Sequence, residues 1–166
     1  MKKNLLLTIN IITYNHERYI AKCLDSILAQ KTDFDFIVRI FEDCSTDKTL
    51  HICREYESKY PDRVFLYAAE KNLDVTLNSL RSYDNIKTPY YMLIEGDDFV
   101  SEYISRFQEQ VDALEKHPEC SFSAGRSKIY CDFYAEYRRG SPLLDQSGLY
   151  TLGSLIENPR TYFFSA

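Results

Sequence analysis

Along this chain, short apolar runs alternate with segments in which apolar residues recur at helical spacing. The run Leu5 to Ile12 is apolar and β-branched, and it is followed by polar residues and then by a helical pattern. The same order returns after Phe36 to Phe41, after Val64 to Ala68 and after Tyr90 to Ile94. Four such strand-then-helix units predict an α/β fold with a largely parallel, doubly wound sheet and helices on both of its faces. The four helices are predicted around Ile20 to Leu28, Leu50 to Tyr56, Val75 to Tyr83 and Ser101 to Leu114.

The pattern changes after His117-Pro118, which ends the fourth predicted helix. Two apolar segments follow without a helix between them, Cys120 to Ala124 and Ser127 to Tyr134, so we expect a mixed or antiparallel edge at the C-terminal end. The length of 166 residues, 45% of them hydrophobic, favours a single domain over residues 1–166. Because Tyr162 to Ala166 carries no terminating signal, we also expect the chain to stop inside a structural element.

Charge and cysteine content narrow the function classes. The net charge is −5, from 20 basic and 25 acidic residues without long runs of either sign, which argues against nucleic acid as a partner. The five cysteines form no C-x-x-C pair, so we expect reduced thiols in a cytoplasmic protein, with neither a zinc site nor a disulfide framework. No apolar stretch reaches about 18 residues, so the sequence predicts no transmembrane segment.

Two adjacent carboxylates follow the fourth predicted strand. Asp97 and Asp98 come directly after Tyr90 to Ile94, with Glu95 just before them. Hard divalent cations take oxygen ligands, and Mg²⁺ is usually held by one or two carboxylates together with substrate phosphates. One interpretation of this cluster is therefore a metal site for a phosphorylated ligand. The other is a turn before a helix, in which Asp side chains satisfy free backbone donors.

Ligands of doubly wound folds bind beyond the carboxyl ends of the strands. This rule selects three segments for one crevice, namely Thr13 to Asn15, Glu42-Asp43 and Glu95 to Asp98. Asp43 either accepts a hydrogen bond from the imide N–H of a base such as uracil or caps the helix that follows it. Tyr14 either offers a ring on which the base stacks or packs into the core. Together, the three segments predict a site for a nucleoside diphosphate.

The residues beside Tyr14 also have simpler explanations. Asn15 fits a local turn hydrogen bond, and Glu17 fits the preference for acids in the first turn of a helix. His16 is expected to be a solvated residue of that turn rather than a catalytic base. Motifs of other ligand classes are missing, since the sequence contains no G-x-G-x-x-G, no P-loop and no nucleophile elbow, and Lys48 stands where a calcium loop requires glycine.

The order and spacing of the crevice segments resemble a known family. They are similar to the nucleotide-sugar-binding half of family 2 glycosyltransferases, which have the Rossmann-like GT-A fold. The segments that carry the resemblance are Asn10 to Asn15, Phe41 to Thr49 and Ile94 to Phe99. The similarity runs from about Leu5 to Pro118, and it implies a nucleotide-sugar-binding half at residues 1–118 and the incomplete start of an acceptor-binding region at residues 119–166.

The resemblance implies a role for each residue of the crevice. Tyr14 and Asp43 contact the nucleobase, Asp97 the ribose and phosphate region, and Asp98 the Mn²⁺ or Mg²⁺ that bridges the diphosphate. Glu95 stands where the first acid of the family's D-x-D element lies, and Asp74 stands where the family often has Gly. The donor-binding residues are then Thr13, Tyr14, Asn15, Glu17, Asp43, Glu95 and Asp97, whereas Asp97 and Asp98 are the metal ligands and the catalytic residues. The family's base normally lies further along the chain, and none is assigned.

The implied function is transfer of a sugar, with inversion, from a nucleotide sugar to an acceptor hydroxyl. A UDP-sugar is the expected donor, and a polysaccharide precursor or a lipid-linked glycan is the expected acceptor. This function is compatible with peripheral association at the inner face of the membrane and with a homo-oligomer. The alternatives are a non-catalytic nucleotide-sugar-binding module or a truncated, inactive fragment. A third class, a flavodoxin-like signalling domain that binds Mg²⁺ through carboxylates, is disfavoured by the order of the motifs.

Overall fold

The computed structural model describes residues 4–100, 104–123, 128–131 and 136–139. The chain divides into two compact units, Met1–Ser121 and Phe122–Ala166. The described residues of the first unit form β1 (Leu5–Thr13), α1 (Ile20–Leu28), β2 (Asp35–Glu42), α2 (Thr49–Lys59), β3 (Val64–Ala68), α3 (Asp74–Ser82), β4 (Tyr90–Glu95) and α4 (Arg106–Lys116). Those of the second unit form β5 (Lys128–Cys131) and β6 (Glu136–Arg139).

The first unit is built on a parallel sheet with the strand order β3-β2-β1-β4. The central strand β1 is paired on both sides, and from Leu7 to Thr13 every residue is buried. A strand that is covered on both faces reads as a continuous apolar, β-branched run, which explains why β1 is recognisable in the sequence. The predicted α/β fold with a parallel sheet and helices on both faces is confirmed.

One face of this sheet is packed by apolar side chains. Alternate residues of β1, among them Ile9 and Ile11, point to this face, where α1, α2 and α4 cover them. α1 contributes fully buried residues at helical spacing, including Leu24 and Ile27. The ring of Phe107 from α4 meets Phe36 edge to face, with 5.6 Å between the ring centroids. The largest apolar core of the described residues therefore lies between these three helices and the sheet.

The opposite face is covered by α3, which contacts β1 and β2. Here the contacts are hydrogen bonds from buried polar side chains. Asn10 on β1 donates to the carbonyl oxygen of Ser82 at 2.7 Å, and Asn78 on α3 donates to the carbonyl oxygen of Phe41 at 2.9 Å. Arg39 on β2 donates from Nη2 to the carbonyl oxygen of Asp84 at 2.8 Å. The two faces of one sheet are thus held by different kinds of contact.

Two predicted boundaries differ from the structure. α4 begins at Arg106 rather than near Ser101, because the carbonyl oxygen of Ile104 accepts the backbone N–H of Lys31 and is not used within a helix. The predicted start at Ser101 lies outside the described residues. The strand predicted from Cys120 is wrong for residues 120–123, because that stretch starts in a turn and pairs with none of the described strands.

The second unit contains an antiparallel pair, but its strands are not the two that were predicted to pair. β5 pairs with β6 in antiparallel register, and the two form a two-stranded sheet rather than an edge of the parallel sheet. The boundary predicted between residues 118 and 119 lies close to the division between the two units. That residues 119–166 begin an acceptor-binding region stays a prediction. Among the described residues, no helix combines the length and the apolar character needed to cross a membrane.

Candidate functional site

The three predicted loops leave the same edge of the parallel sheet. In the sheet register, Thr13 at the end of β1 pairs with Glu42 at the end of β2, and Ile12 pairs with Glu95 at the end of β4. The ends of β1 and β2 remain paired where the chain leaves the sheet, because Asp43 donates its backbone N–H to the carbonyl oxygen of Thr13 at 3.0 Å. Two strand spacings separate the ends of β2 and β4, which is about 10 Å. The structure therefore brings the three predicted segments together at one edge.

Asp43 is almost fully buried and is held by the loop that precedes α3. Its Oδ1 accepts the backbone N–H of Leu73 at 2.9 Å, and its carbonyl oxygen accepts from the Asn72 side chain at 3.2 Å. The alternative in which Asp43 caps α2 is wrong, because Asp47 accepts the Thr49 N–H at the start of that helix. Oδ2 of Asp43 accepts no hydrogen bond from the part of the chain that the structure describes.

The neighbouring Glu42 is fully buried and shapes the same loop. Its two carboxylate oxygens accept the backbone N–H groups of Ser45 at 2.7 Å and of Cys44 at 3.2 Å. Arg81 on α3 donates from Nη2 to the carbonyl oxygen of Glu42 at 2.8 Å and from Nε to the side chain of Asn78 at 2.6 Å. Burial lowers the pKa of Arg81, and the negative charges of Asp43 and Glu42 oppose that shift. Glu42 was selected from the sequence as part of the crevice but without a role, and Arg81 is a supporting residue of the site that the sequence did not reveal.

Asp74 lies just after this loop and has a left-handed backbone, with φ of 71°. Its Oδ1 accepts the backbone N–H of Val75 at 2.6 Å. A left-handed conformation is easiest for glycine, and Asp is one of the few other residues that adopt it with a local hydrogen bond. This conformation is a physical reason for a glycine preference at that position.

A loop clasp, formed by residues 15–17 and 45–48, joins the loop after β1 to the loop after β2. The Asn15 side chain accepts the backbone N–H of Thr46 at 2.8 Å, and the Glu17 carboxylate accepts that of Lys48 at 3.0 Å. In return, Asp47 accepts the backbone N–H of Glu17 at 3.0 Å. The partners of Asn15 and Glu17 therefore belong to the neighbouring loop rather than to a local turn. Tyr14, the first residue after β1, is 41% exposed and so is not a core residue.

Thr13, His16 and Gly96 pack tightly where β1 and β4 end. Thr13 Oγ1 lies 3.3 Å from His16 Nδ1, and Gly96 donates its backbone N–H to the carbonyl oxygen of Ile12 at 2.9 Å. A Cβ atom at Gly96 would lie 2.6 Å from Thr13 Oγ1 and 2.9 Å from His16 Nδ1, so no side chain fits there. The expectation that His16 is solvated is wrong, because only 23% of its side chain is exposed. The contact depends on residue 96, some 80 positions away, and local sequence gives no sign of it.

The acid cluster after β4 combines two exposed carboxylates with one that is half-buried. Glu95 and Asp97 are exposed, whereas Asp98 is half-buried and closes a turn by donating its N–H to the carbonyl oxygen of Glu95 at 3.0 Å. Burial, together with the negative charges of Asp97 and Glu95, raises the pKa of Asp98 to about 6. Cys23 of α1 lies beneath this turn, and burial raises the pKa of its thiol, with Asp98 adding to the shift.

The donor set at this cluster suits a hard divalent cation. Asp97 and Asp98 offer carboxylate oxygens, which are the ligands that Mg²⁺ and Mn²⁺ accept in proteins. The described residues contain no group of three or more His, Cys, Asp or Glu side chains that could hold a metal by themselves. Two carboxylates completed by ligand phosphates are the arrangement in which Mg²⁺ is usually bound. The residues present therefore fit a metal that is held jointly by the protein and a phosphorylated ligand.

Three curated proteins that are related in sequence are each longer than this chain. The protein Rv1520 of Mycobacterium tuberculosis is 36% identical over 108 residues, which is 65% of this chain and 31% of that protein. EpsE of Bacillus subtilis is 28% identical over 142 residues, or 85% of this chain and 50% of EpsE. The dTDP-rhamnosyl transferase RfbG of Shigella flexneri is 33% identical over 100 residues, or 60% of this chain and 31% of RfbG. The chain thus spans between a third and a half of these relatives.

Solved structures share the fold, and one model of a protein family matches nearly the whole chain. Residues 1–349 of Staphylococcus aureus TarS in complex with UDP superpose with a TM-score of 0.59 at 24% identity, over 68% of this chain and 33% of that one. The mannosyltransferase PcManGT of Pyrobaculum calidifontis, in complex with GDP-Man and Mn²⁺, gives 0.58 at 18% identity, over 81% and 38%. The model of glycosyl transferase family 2 matches residues 8–165. The chain therefore belongs to glycosyl transferase family 2.

Proposed function

We propose that this protein is a metal-dependent glycosyltransferase that moves a sugar, with inversion, from a UDP-sugar to a hydroxyl of a polysaccharide or lipid-linked glycan. Tyr14 and Asp43 bind the nucleobase, Asp97 the ribose and phosphate region, and Asp98 the metal. Thr13 and Glu95 line the crevice between them. Asn15 and Glu17 act through the loop clasp, since their side chains bind the neighbouring loop.

The observation that carries the proposal is the placement of Asp43 and Asp98 at one sheet edge. Asp43 follows β2 and Asp98 follows β4, with β1 between these strands, so the strand ends from which the two loops leave are about two strand spacings, or about 10 Å, apart. Asp43 keeps one carboxylate oxygen for an imide N–H, as in uracil or thymine, because its other oxygen is already bonded to the Leu73 N–H. A base at one end of the crevice and a diphosphate at the other fit this spacing.

The acid cluster supplies the phosphate end of the site. Asp98 would hold the cation with Asp97, and neutralisation of these clustered negative charges favours cation binding. When bound, the metal supplies Lewis-acid stabilisation of the charge that develops on the departing nucleoside diphosphate. Asp97 and Asp98 would then orient the diphosphate of the donor. The base that takes the acceptor proton is not assigned, and Asp145 and Glu157 lie outside the described residues.

A second candidate function is a nucleotide-sugar-binding module without transferase activity. It is considered because the described residues of the crevice offer groups that suit a nucleotide and a metal, whereas none of them is assigned as the catalytic base. In either case we propose a cytoplasmic protein, working at the inner face of the membrane if its acceptor is lipid-linked.

Thermal unfolding in the presence of UDP and Mn²⁺ tests the site. A ligand that binds only the folded state stabilises it, so at about 100 times the dissociation constant we expect Tm to rise by about 5–10 °C. Asp98→Ala should abolish the rise that depends on Mn²⁺, and Asp43→Ala should reduce the rise with UDP. Asp62→Ala is the matched control, because Asp62 is an exposed acid in the turn before β3 and lies far from the crevice in sequence.

The outcomes separate the candidates. Absence of a Tm rise with every nucleoside diphosphate would remove both functions. A rise that is accompanied by donor hydrolysis or transfer in a panel of nucleotide sugars, and lost in Asp98→Ala, identifies the enzyme. A rise without turnover for any donor and acceptor identifies the binding module.

A further inference from the structure

The imidazole of His16 connects the ends of two strands at the candidate site. Its Nδ1 lies 3.3 Å from Thr13 Oγ1, and its Nε2 lies 3.9 Å from Asp97 Oδ1. Because Gly96 has no side chain, the ring fits against the turn that carries the acid cluster. In the described part of the chain, no other residue pairs with the Asp97 carboxylate. His16 is thus the one described side chain that links β1 to Asp97.

The backbone of His16 does not explain the imidazole. Its carbonyl oxygen accepts the N–H groups of Tyr19 and Ile20 at 2.9 Å each, and so helps to begin α1. Any residue provides this carbonyl. The ring itself is mostly enclosed, and its two nitrogens face a hydroxyl and a carboxylate, which are the partners that an imidazole can join through opposite sides.

We infer that His16 is a positioning residue that holds the Asp97 carboxylate for the nucleotide sugar, an assignment that rests on the proposed function. The neutral tautomer with its proton on Nε2 serves both contacts, since Nδ1 then accepts from the Thr13 hydroxyl and Nε2 donates to Asp97 Oδ1. The second contact must close by about 1 Å to become a hydrogen bond. Hydrogen bonds of active sites are often long before the substrate binds and shorten in the complex.

This geometry gives His16 a defined task. When His16 Nε2 donates a hydrogen bond to Oδ1, it selects one rotamer of Asp97 and leaves Oδ2 for the ribose and phosphate region of the ligand. Exposed carboxylates otherwise lose rotamer freedom when they bind, which weakens affinity. The ring is anchored in turn by Thr13 at the end of β1, so the orientation of Asp97 is tied to the most buried strand of the sheet.

Three substitutions of His16 separate this role from a structural one. His16→Ala should weaken the binding of UDP in saturating Mn²⁺ by about 10-fold, as expected for a hydrogen bond to a charged group. His16→Gln places an amide N–H near the position of Nε2 and should stay within about 3-fold of the wild type. His16→Asn reaches Thr13 but not Asp97 and should resemble His16→Ala. Calorimetric titration measures the affinities, and Tm without ligand reports any structural effect.

His51→Ala is the matched control. His51 also pairs with a carboxylate, Glu55 at 3.3 Å, but on the exposed surface of α2, so its removal should leave UDP affinity unchanged. The inference is overturned if His16→Ala binds UDP as the wild type does, or if His16→Gln and His16→Asn are equally impaired. If the wild-type protein binds neither UDP nor any UDP-sugar, the proposed function falls and the inference falls with it.

Discussion

The two faces of the parallel sheet are closed in different ways. The face under α1, α2 and α4 is closed by apolar side chains such as Ile9, Leu24 and Phe107, which are fully buried. The face under α3 also buries Ile12 and Phe41, but α3 is attached to it by directional hydrogen bonds that involve Asn10 and Asn78. Apolar burial is non-directional and supplies most of the stability of a fold, whereas hydrogen bonds add less free energy but fix geometry.

α3 is amphipathic, but its polar side faces the sheet and its apolar side faces outward. Its buried residues are polar, Asn78 and Ser82, while Val75, Leu77 and Leu80 are each more than half exposed. A helix of this kind is anchored through hydrogen bonds to particular backbone atoms of β2 and cannot slide as an apolar helix can. It therefore fixes the end of β2, from which Asp43 leaves the sheet.

The same contrast distinguishes the two carboxylates of the proposed site. Asp43 is held by two hydrogen bonds from the loop that leads into α3, one to its Oδ1 and one to its backbone carbonyl oxygen. Asp98 instead lies above Cys23 of the apolar core, and its burial raises the pKa to about 6. Asp43 is placed to accept a hydrogen bond from the nucleobase. Asp98 is placed to bind a cation, whose positive charge would offset the unfavourable burial of its negative charge.

The largest effect should come from the apolar face. Phe107→Ala removes a fully buried ring that contacts Phe36 and should lower the free energy of unfolding by about 4 kcal/mol in urea denaturation. Leu80→Ala is the comparison, because Leu80 is a large apolar residue of α3 that is 59% exposed. It should change stability by less than about 0.5 kcal/mol. Equal costs for the two variants would show that the outer side of α3 is covered in solution and would break the contrast.

The polar face should respond less in stability and more in binding. Asn78→Ala leaves the carbonyl oxygen of Phe41 and the Nε of Arg81 without their partner and should cost about 2 kcal/mol. Because Arg81 also holds the carbonyl of Glu42, the variant should bind UDP more weakly than its loss of stability explains. Binding is measured by calorimetry below the unfolding range. Thr76→Ala, on the exposed side of the same helix, should change neither quantity, and an unchanged UDP affinity in Asn78→Ala would contradict the proposed link to Asp43.

The sequence predicts the apolar face well and the polar face poorly. β1 is predicted from Leu5 to Ile12 and spans Leu5–Thr13, because a buried parallel strand appears in the sequence as an apolar run. Glu42 and Arg81 are charged residues that ordinary patterns place on the surface. Glu42 is fully buried and Arg81 is half-buried, and the hydrogen bond that joins them spans 39 positions, so no local pattern contains that information.

The candidate site also has features that the sequence predicts and features that it does not. The strand-end rule placed Asp43, Asp97 and Asp98 at one edge of the sheet, because the carboxyl ends of parallel strands always meet. The roles of Asn15 and Glu17 in the loop clasp were missed, since their partners lie 31 positions away. Sequence thus identifies which side chains reach the edge, and the structure identifies which of them bind each other there.

The smallest effect concerns the pH dependence that Asp98 imposes. Its pKa in the folded protein, about 6, is above the value of about 3.9 for an unfolded chain, so between these values the folded state binds more protons. Stability therefore falls as pH rises from about 4 to 6, and the full cost is present at pH 7. Asp98→Asn removes this charge and should stabilise the protein at pH 7 by about 1 kcal/mol or less, once the exposure of the half-buried side chain to solvent is discounted. At pH 4 the two proteins should be equally stable.

Urea denaturation at pH 4 and at pH 7 measures this difference, and Asp62→Asn is the control with no pH-dependent change expected. The same Asp98→Asn variant should lose the Mn²⁺-dependent stabilisation by UDP, so that one substitution stabilises the free protein and removes its ligand. A stability difference that is the same at both pH values would show that Asp98 is as well solvated as Asp97. In that case the contrast between an acid held by hydrogen bonds and an acid held against the apolar core would not explain the site.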